Sequence, residues 1–271
     1  MQPRGFSLVE LSIVLVILGL LTGGILAGQS LIRAAELRSV STEYGKYMTA
    51  VRSFRDKYFA IPGDMTNATA FWGVLAGTGS DATCQGTTAT GAATCNGDGD
   101  GSLMWNNTAN NEIGRFWQHL ANAGLIEGQY TGVLASGTCT VGIVPMGKMS
   151  GSCWLAYPGK GWAAGAGNTY YAGDTGSFAG DYGKSELVYK SLTASTSTAG
   201  SYPLKPEEAW NIDTKMDDGN PATGSVMGIK GDGTNTNCTS FAGVAPPGDA
   251  GATYKLSNSS KDCALYFVRA F

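Results

Sequence analysis

Histidine is almost absent from this chain: His119 stands alone among 271 residues. Charge is scarce as well, with Asp, Glu, Lys and Arg making up 14% of the sequence, well under the usual quarter. No cysteine precedes residue 84, and no two cysteines have the CxxC spacing of a zinc or redox site. Neither a GxxxxGK phosphate loop nor a dinucleotide fingerprint beside a strand occurs. Each lack excludes a class of function. An enzyme needs a positioned base and nucleophile or an open metal site, and one histidine with scattered carboxylates supplies neither, so the chain reads as a non-enzyme. His119 itself, on a helical stretch, reads as a structural residue. A net charge of −3 offers no general basic field to nucleic acid.

What is present is concentrated at the start. Gly5-Phe6-Ser7-Leu8-Val9-Glu10 is followed by 22 uncharged residues, Leu11 to Ile32, with clearly polar side chains only at Ser12, Thr22, Gln29 and Ser30. As a helix this run is about 33 Å long, enough to cross a hydrocarbon core of about 30 Å. Glu10 is the anomaly, because a carboxylate at the edge of a span is costly and usually faces a partner. A secretory signal peptide fits the basic start Met1–Arg4 and has a poor exit at Ala27-Gly28, but its apolar stretch is shorter and carries no Glu10. A plain membrane anchor explains the length and leaves Glu10 without a role.

Beyond Ile32 the pattern becomes two-faced. Leu37, Val40, Tyr44, Tyr47, Val51, Phe54 and Tyr58 recur at steps of three and four, which predicts one apolar stripe along a helix. Ile61-Pro62-Gly63-Asp64 should end it. One helix over 6–59, about 80 Å long, is expected. From Gly77 to Gly101 the chain holds seven glycines, six threonines and no aliphatic larger than alanine, which predicts a surface loop unable to make core. A helix is expected over Ile113–Ile126, and a second from Lys205 to Met216, opened by Pro206 with Glu207 and Glu208 at its positive end. Strands are expected at Val141–Met146, Cys153–Tyr157, Glu186–Leu192, Ser225–Lys230 and Ala264–Arg269. The glycine-aromatic stretch Gly161–Gly183 reads as an exposed insertion.

The six cysteines all lie beyond the apolar run and read as extracytoplasmic disulfides. Loop-closure economy favours the sequential pairing Cys84–Cys95, Cys139–Cys153 and Cys238–Cys263. Two acidic stretches invite a hard cation. Asn96, Asp98 and Asp100, with Gly101 next, match the first half of a calcium loop. Its twelfth position is Asn107 rather than Glu, so Glu112 closes the shell only from a longer loop. Asp213, Asp217 and Asp218 sit at a helix end, where the dipole disfavours them and a cation would offset the repulsion. A metal-free turn fits either stretch equally well.

Residues Arg4 to Leu21, RGFSLVELSIVLVILGLL, resemble the prepilin signal of type IV pilins and their pseudopilin relatives. The resemblance implies cleavage after Gly5 by a prepilin peptidase, N-methylation of Phe6, and a contact of Glu10 with the terminal amine of Phe6 in a neighbouring subunit; pairing with the amine of its own chain is the alternative. It also implies an α+β, type IV pilin-like fold: one long N-terminal helix on an antiparallel sheet of about four or five strands, with large Gly-rich, disulfide-stapled loops. The organisation would be a leader over 1–5, a transmembrane or filament-core half-helix over 6–32, an amphipathic half over 33–60 and an extracytoplasmic head over 61–271. The implied function is a structural subunit of a pilus-like filament serving adhesion, motility or uptake. Such a subunit is held in the inner membrane, polymerised by pilus assembly machinery and then displayed outside the cell, with itself as main partner and no nucleic acid by default. The alternatives are a pseudopilin of a type II secretion system, in a periplasmic pseudopilus, and a membrane-anchored module gripping glycans or surfaces. Calcium is the one candidate cofactor; IDTKMDDGNPATG looks like a late loop of large pilin-like proteins, and some pseudopilins bind calcium in a comparable place. Many pilins carry a mid-helix proline, whereas here Gly19, Gly23, Gly24 and Gly28 are the only weak points. The likeness is strongest over 4–60, weaker over 61–128 and 205–270, and absent between.

Overall fold

The structure is a computed structural model that describes residues 7–75, 84, 87–103, 112–133, 139–158, 185–191, 202–228, 237–240, 251–268 and 270. The insertion expected over Gly161–Gly183 lies outside these residues, as do Asn107 and the leader. Among the described residues, four helices of five residues or more occur: α1 (Leu8–Tyr58), α2 (Ala68–Trp72), α3 (Glu112–Asn122) and α4 (Pro206–Met216). Four strands accompany them: β1 (Ser152–Pro158), β2 (Ser185–Ser191), β3 (Val226–Gly228) and β4 (Leu265–Phe267).

Helix α1 is continuous for 51 residues, about 75 Å. Its start is a capping box: Ser7 Oγ accepts from the Glu10 N–H at 3.2 Å, and Glu10 Oε2 accepts from the Ser7 N–H at 2.8 Å. Two orphan amides are thereby satisfied by one pair of side chains. At the far end Phe59 adopts a left-handed conformation (φ 54) and donates its N–H to Arg55 O. Pro62 and Gly63 then turn the chain. Gly63 has φ +90, and a Cβ there would meet the Glu112 carbonyl, so only glycine lets the turn lie against α3.

The stripe read from the sequence packs the head. Val40, Tyr47, Val51 and Phe54 are buried, and Leu37, Tyr44 and Tyr58 are partly so. They meet a four-stranded sheet of order β1-β2-β4-β3, with all neighbours antiparallel and β1 paired to β2 from Ser152↔Ser191 to Pro158↔Ser185. Trp154 of β1 is the hub, with ring centroids 5.7 Å from Tyr47, 4.9 Å from Tyr189 and 5.3 Å from Phe267. Its Nε1 donates to Glu43 Oε2 at 2.7 Å, while Glu43 Oε1 accepts from the Lys148 N–H at 2.9 Å. A buried carboxylate on α1 thus holds the strand and the turn before it.

Three expectations need correction. Val141–Met146 is a turn rather than a strand: Gly142 has φ 80, Pro145 has no N–H to give a ladder, and pairing survives only as a bridge between Met146 and Cys153. Nor is the Gly77–Gly101 segment without core. Cys84, Ala89 and Cys95 form a small buried cluster with Leu75, and Thr94 is fully buried. The reason is α3, whose side chains reach into that loop. Arg115 donates to the carbonyls of Cys84 (2.8 Å), Thr87 (2.6 Å) and Thr131 (3.3 Å), and Gln118 Nε2 donates to Ala93 O at 2.9 Å. Small residues let the loop backbone come close enough to be satisfied this way. Helix α3 also ends sooner than expected. Gly124 takes φ 72, and the Leu125 and Gly124 amides fold back onto Leu120 O and Ala121 O, a Schellman stop.

Candidate functional site

Three places carry chemistry or assembly: the apolar half of α1, the junction where α1 enters the head, and two carboxylate clusters. The first is defined by exposure. Large apolar side chains from Leu8 to Ile32 are 50% to 86% exposed, and the most apolar window of 18 residues, with mean hydropathy 2.4, has none of its residues buried. By length and composition this helix can cross a membrane. Leaving such a surface in water is strongly unfavourable, at roughly 25 cal/mol per Å². Gly5 and Phe6 lie outside the described residues; within them Glu10 bonds the Ser7 N–H of its own chain.

At the junction, Arg33 is the first charged residue after the apolar run. Its Nε and Nη2 grip Glu208 at 2.6 and 2.5 Å, Nη2 also reaches Pro203 O at 3.1 Å, and Nη1 reaches Glu36 at 3.0 Å. Glu208 additionally accepts from the Lys205 N–H at 2.8 Å at the start of α4. Burial pushes the Glu208 carboxyl up, but Arg33 and that amide outweigh it and hold it below the ordinary range. The planar fork makes this a geometrically specific clamp between the membrane-facing helix and the head.

The carboxylate clusters differ in part from those read in the sequence. Asp98 and Asp100 are brought together with Asp64, one oxygen from each lying within 4.8 Å of the others, and Glu112 is not part of this group. Asn96 Oδ1 accepts from Thr69 N and Oγ1, and Glu112 Oε1 accepts from the Asp98 N–H at 2.9 Å. Asp64, which sequence reasoning missed, is cradled by the amides of Gly99 (2.6 Å) and Gly101 (2.9 Å). Burial pushes its carboxyl up to about 6, opposed by those two amides and reinforced by Asp100 and Asp98. The signal for it was its place in the Pro62-Gly63-Asp64 turn.

The second cluster unites Asp213, Asp217 and Asp218, again within 4.8 Å. Asp213 is fully buried and accepts from Tyr254 Oη at 2.8 Å and the Gly219 N–H at 3.1 Å. Burial pushes it up to about 7 despite those donors, with Asp218 and Asp217 adding to the rise. Asp217 accepts from the Ser225 and Val226 amides, and Asp218 from Thr223 Oγ1 at 2.6 Å. Both clusters suit a hard divalent cation by donor type and spacing, since oxygens on one calcium ion are at most about 5 Å apart.

His119 is structural. It is fully buried, accepts from the Gly63 N–H at Nδ1 (3.0 Å) and meets Thr94 Oγ1 at Nε2 (2.9 Å). Because Nδ1 accepts, the ring proton sits on Nε2, and Thr94 passes its own proton to Gln118 Oε1 at 2.9 Å. Burial and the nearby Arg115 charge push its pKa down to about 3.

The cysteines pair as Cys84–Cys95, Cys139–Cys153 and Cys238–Cys263. Residues 1–26 match the family model described as the prokaryotic N-terminal methylation motif, the type IV pilin and prepilin signal. No curated protein and no solved structure matches the chain. The motif marks a pilin-like or pseudopilin substrate and points to a structural protein. It implies processing by a prepilin peptidase and assembly into filaments. The apolar half of α1 and the motif together fit membrane anchoring followed by assembly.

Proposed function

We propose that this chain is a structural subunit of a type IV pilus-like filament displayed on the cell surface, where it serves adhesion, motility or uptake. The observation that carries the reading is the bare apolar half of α1, headed by the methylation motif and continuous with a stripe that is already buried in the head. Lipid covers that half before assembly, and the same half of other copies covers it afterwards. A head-to-tail contact of this kind does not close on itself and generates a fibre. Prepilin peptidase cuts after Gly5 and Phe6 is methylated. Glu10 of one subunit then neutralises the Phe6 amine of the next, which sets the axial stagger between helices whose other contacts tolerate sliding. The inner-membrane assembly machinery is the partner before polymerisation. Three disulfides in the head suit a product exposed to shear.

The cluster Asp213–Asp217–Asp218 favours a second reading, a pseudopilin of a type II secretion system in a periplasmic pseudopilus, since some pseudopilins hold calcium in a comparable late loop. In either case we propose calcium as the ion at one or both clusters. Electron microscopy of sheared surface fractions separates the two. Long fibres built mainly of this chain support the pilus; their absence, with the chain confined to the periplasmic side, supports the pseudopilin. Intact mass tests the processing, with a chain beginning at methylated Phe6 expected and a start near Gln29 ruling it out.

A further inference from the structure

Past the apolar run the same helix continues into the head, and there its outward face is basic. Arg38, Lys46, Arg52, Arg55 and Lys57 are all exposed, and Asp56 is the one exposed carboxylate beside them. The other two acids of this stretch are engaged, Glu36 by Arg33 and Glu43 by the core. Among the described residues none of the five cations forms a salt bridge; Lys57 leans over the Tyr58 ring at 5.0 Å. From Arg38 to Lys57 the face is about 29 Å long.

Two further features set this face apart from an ordinary solvated one. The exposed residues between the cations are small: Thr42, Gly45 and Thr49. Gly45 lies deep inside a helix, where glycine is less stable than alanine, yet a Cβ there would meet nothing within 4 Å. Nothing among the described residues of the subunit needs the glycine. The charge balance is also lopsided. The chain holds 18 Lys and Arg against 21 Asp and Glu; setting aside the five cations and Asp56, 13 cations face 20 carboxylates elsewhere. Exposed on the head are Glu127 and Glu207, with Asp98, Asp100 and Asp218 of the two carboxylate clusters, against exposed Lys148, Lys215 and Lys261.

We propose that this basic face of α1 is the seat for the acidic head surface of a neighbouring copy, with Gly45 marking the point of closest approach. The inference rests on the filament reading and specifies its second contact. Copies packed along the apolar half with an axial offset shorter than the ~75 Å helix bring one head alongside the shaft of another. If shafts met basic face to basic face they would repel. Interleaved carboxylates turn the same contact into an attraction and select one approach. The apolar half then supplies non-directional cohesion, and the basic face supplies orientation.

Mixed fibres assembled from isotope-labelled and unlabelled full-length chains, treated with a carbodiimide, provide the test. This reagent joins an ammonium to a carboxylate only in direct contact. Labelled-to-unlabelled cross-links from Lys46 or Lys57 to a head carboxylate are expected in fibres, and none in detergent-dispersed subunits. Lys46→Gln with Arg52→Gln and Lys57→Gln should lower fibre yield about tenfold or more, as loss of several exposed ion pairs per subunit would, and blunt its dependence on salt. The Lys46→Arg, Lys57→Arg pair should assemble normally. Gly45→Leu should leave processing intact and the melting temperature of the subunit unchanged or higher, and still reduce fibres. Purely intrachain cross-links, or a triple variant with wild-type yield and salt response, overturn the proposal. So does retention of a labelled oligonucleotide by wild type and its loss in the triple variant with fibres unchanged, which would give the face to a polyanion. Absence of fibres from the wild-type chain overturns the filament reading as well, whereas loss confined to the variants upholds both.

Discussion

His119 shows how much one buried side chain can couple to pH. Its Nδ1 accepts from Gly63 and its ring is enclosed, so a second proton would set two donors against each other. The folded-state pKa, down at about 3, lies below the unfolded value near 6.5. The unfolded chain therefore binds the proton first, and the stability due to neutral His119 is complete above about pH 6.5 and falls as pH drops from there toward 3. Wild type should accordingly exceed a His119→Gln variant in stability at pH 8, with the gap shrinking by about 1.4 kcal/mol per pH unit below 6.5. Denaturant melts of both chains at pH 8, 6 and 5 check this, and a constant gap would refute it. Using the difference cancels the opposite titration of Asp64 and Asp213, which the variant retains. The carboxylates make a separate residue-scale prediction. Chelator should lower the melting temperature and calcium restore it, with titration carried to millimolar because extracellular calcium modules bind at about 10⁻⁴–10⁻³ M. Asp64→Ala with Asp98→Ala removes the first response and Asp217→Ala with Asp218→Ala the second. Melting points indifferent to calcium in wild type would dismiss both sites.

At the scale of elements, the joint between α1 and α4 is a charge clamp at the very residue where the apolar run ends. Arg33→Ala strands Glu208 and should cost about 2–4 kcal/mol, since a half-buried pair loses one member. Arg33→Lys keeps the charge without the two-pronged grip and should recover only part. The loss should be complete above the pKa of free Glu and shrink as pH falls through the depressed Glu208 value, because the folded pair binds its proton later than the unfolded chain does. Thermal melts of detergent-held subunits at pH 7 and pH 3.5 measure both effects. Helix α3 makes a complementary joint. Arg115, without a carboxylate partner among the described residues, is hydrogen-bonded to the carbonyls of Cys84 and Thr87 in the glycine-rich loop and of Thr131 beyond it, so a loop that has almost no side chains to bury becomes part of the fold.

For the whole molecule, the shaft-and-head shape puts the exposed apolar surface at one end and the packed core at the other. Glu10 is the residue proposed above to set the stagger in assembly. In the isolated subunit it caps its own helix, so a move to a neighbour's amine would exchange one hydrogen bond for a charge pair. Glu10→Gln retains a side-chain oxygen for the Ser7 amide and loses the charge. Processed protein should accumulate in the membrane at normal levels while fibres disappear, since each new amine would enter the core unpaired at several kcal/mol. Immunoblots of membrane and sheared fractions would decide it. Wild-type fibre yield from the variant would transfer control of the stagger to the head.

The long helix, its apolar stripe and its terminating turn were legible in the sequence because each depends on neighbours three or four residues away, and the methylation motif was legible because it is contiguous. Short loop closures made the sequential disulfides readable for the same reason. The pairings that only the tertiary structure decided are distant: Arg33 with Glu208 across 175 residues, Glu43 with Trp154 across 111, and Asp64 with the Gly99 and Gly101 amides. No periodicity records which carboxylate a fold will bring to which donor. Val141–Met146 was misread because its β-branched residues suggest a strand while Gly142 and Pro145 deny it the conformation and the donor that a ladder requires. Local patterning determined that this chain is a greasy shaft with a head; three-dimensional packing decided which polar groups lock the head to the shaft, because burial forces each of them to find a partner wherever the chain happens to return.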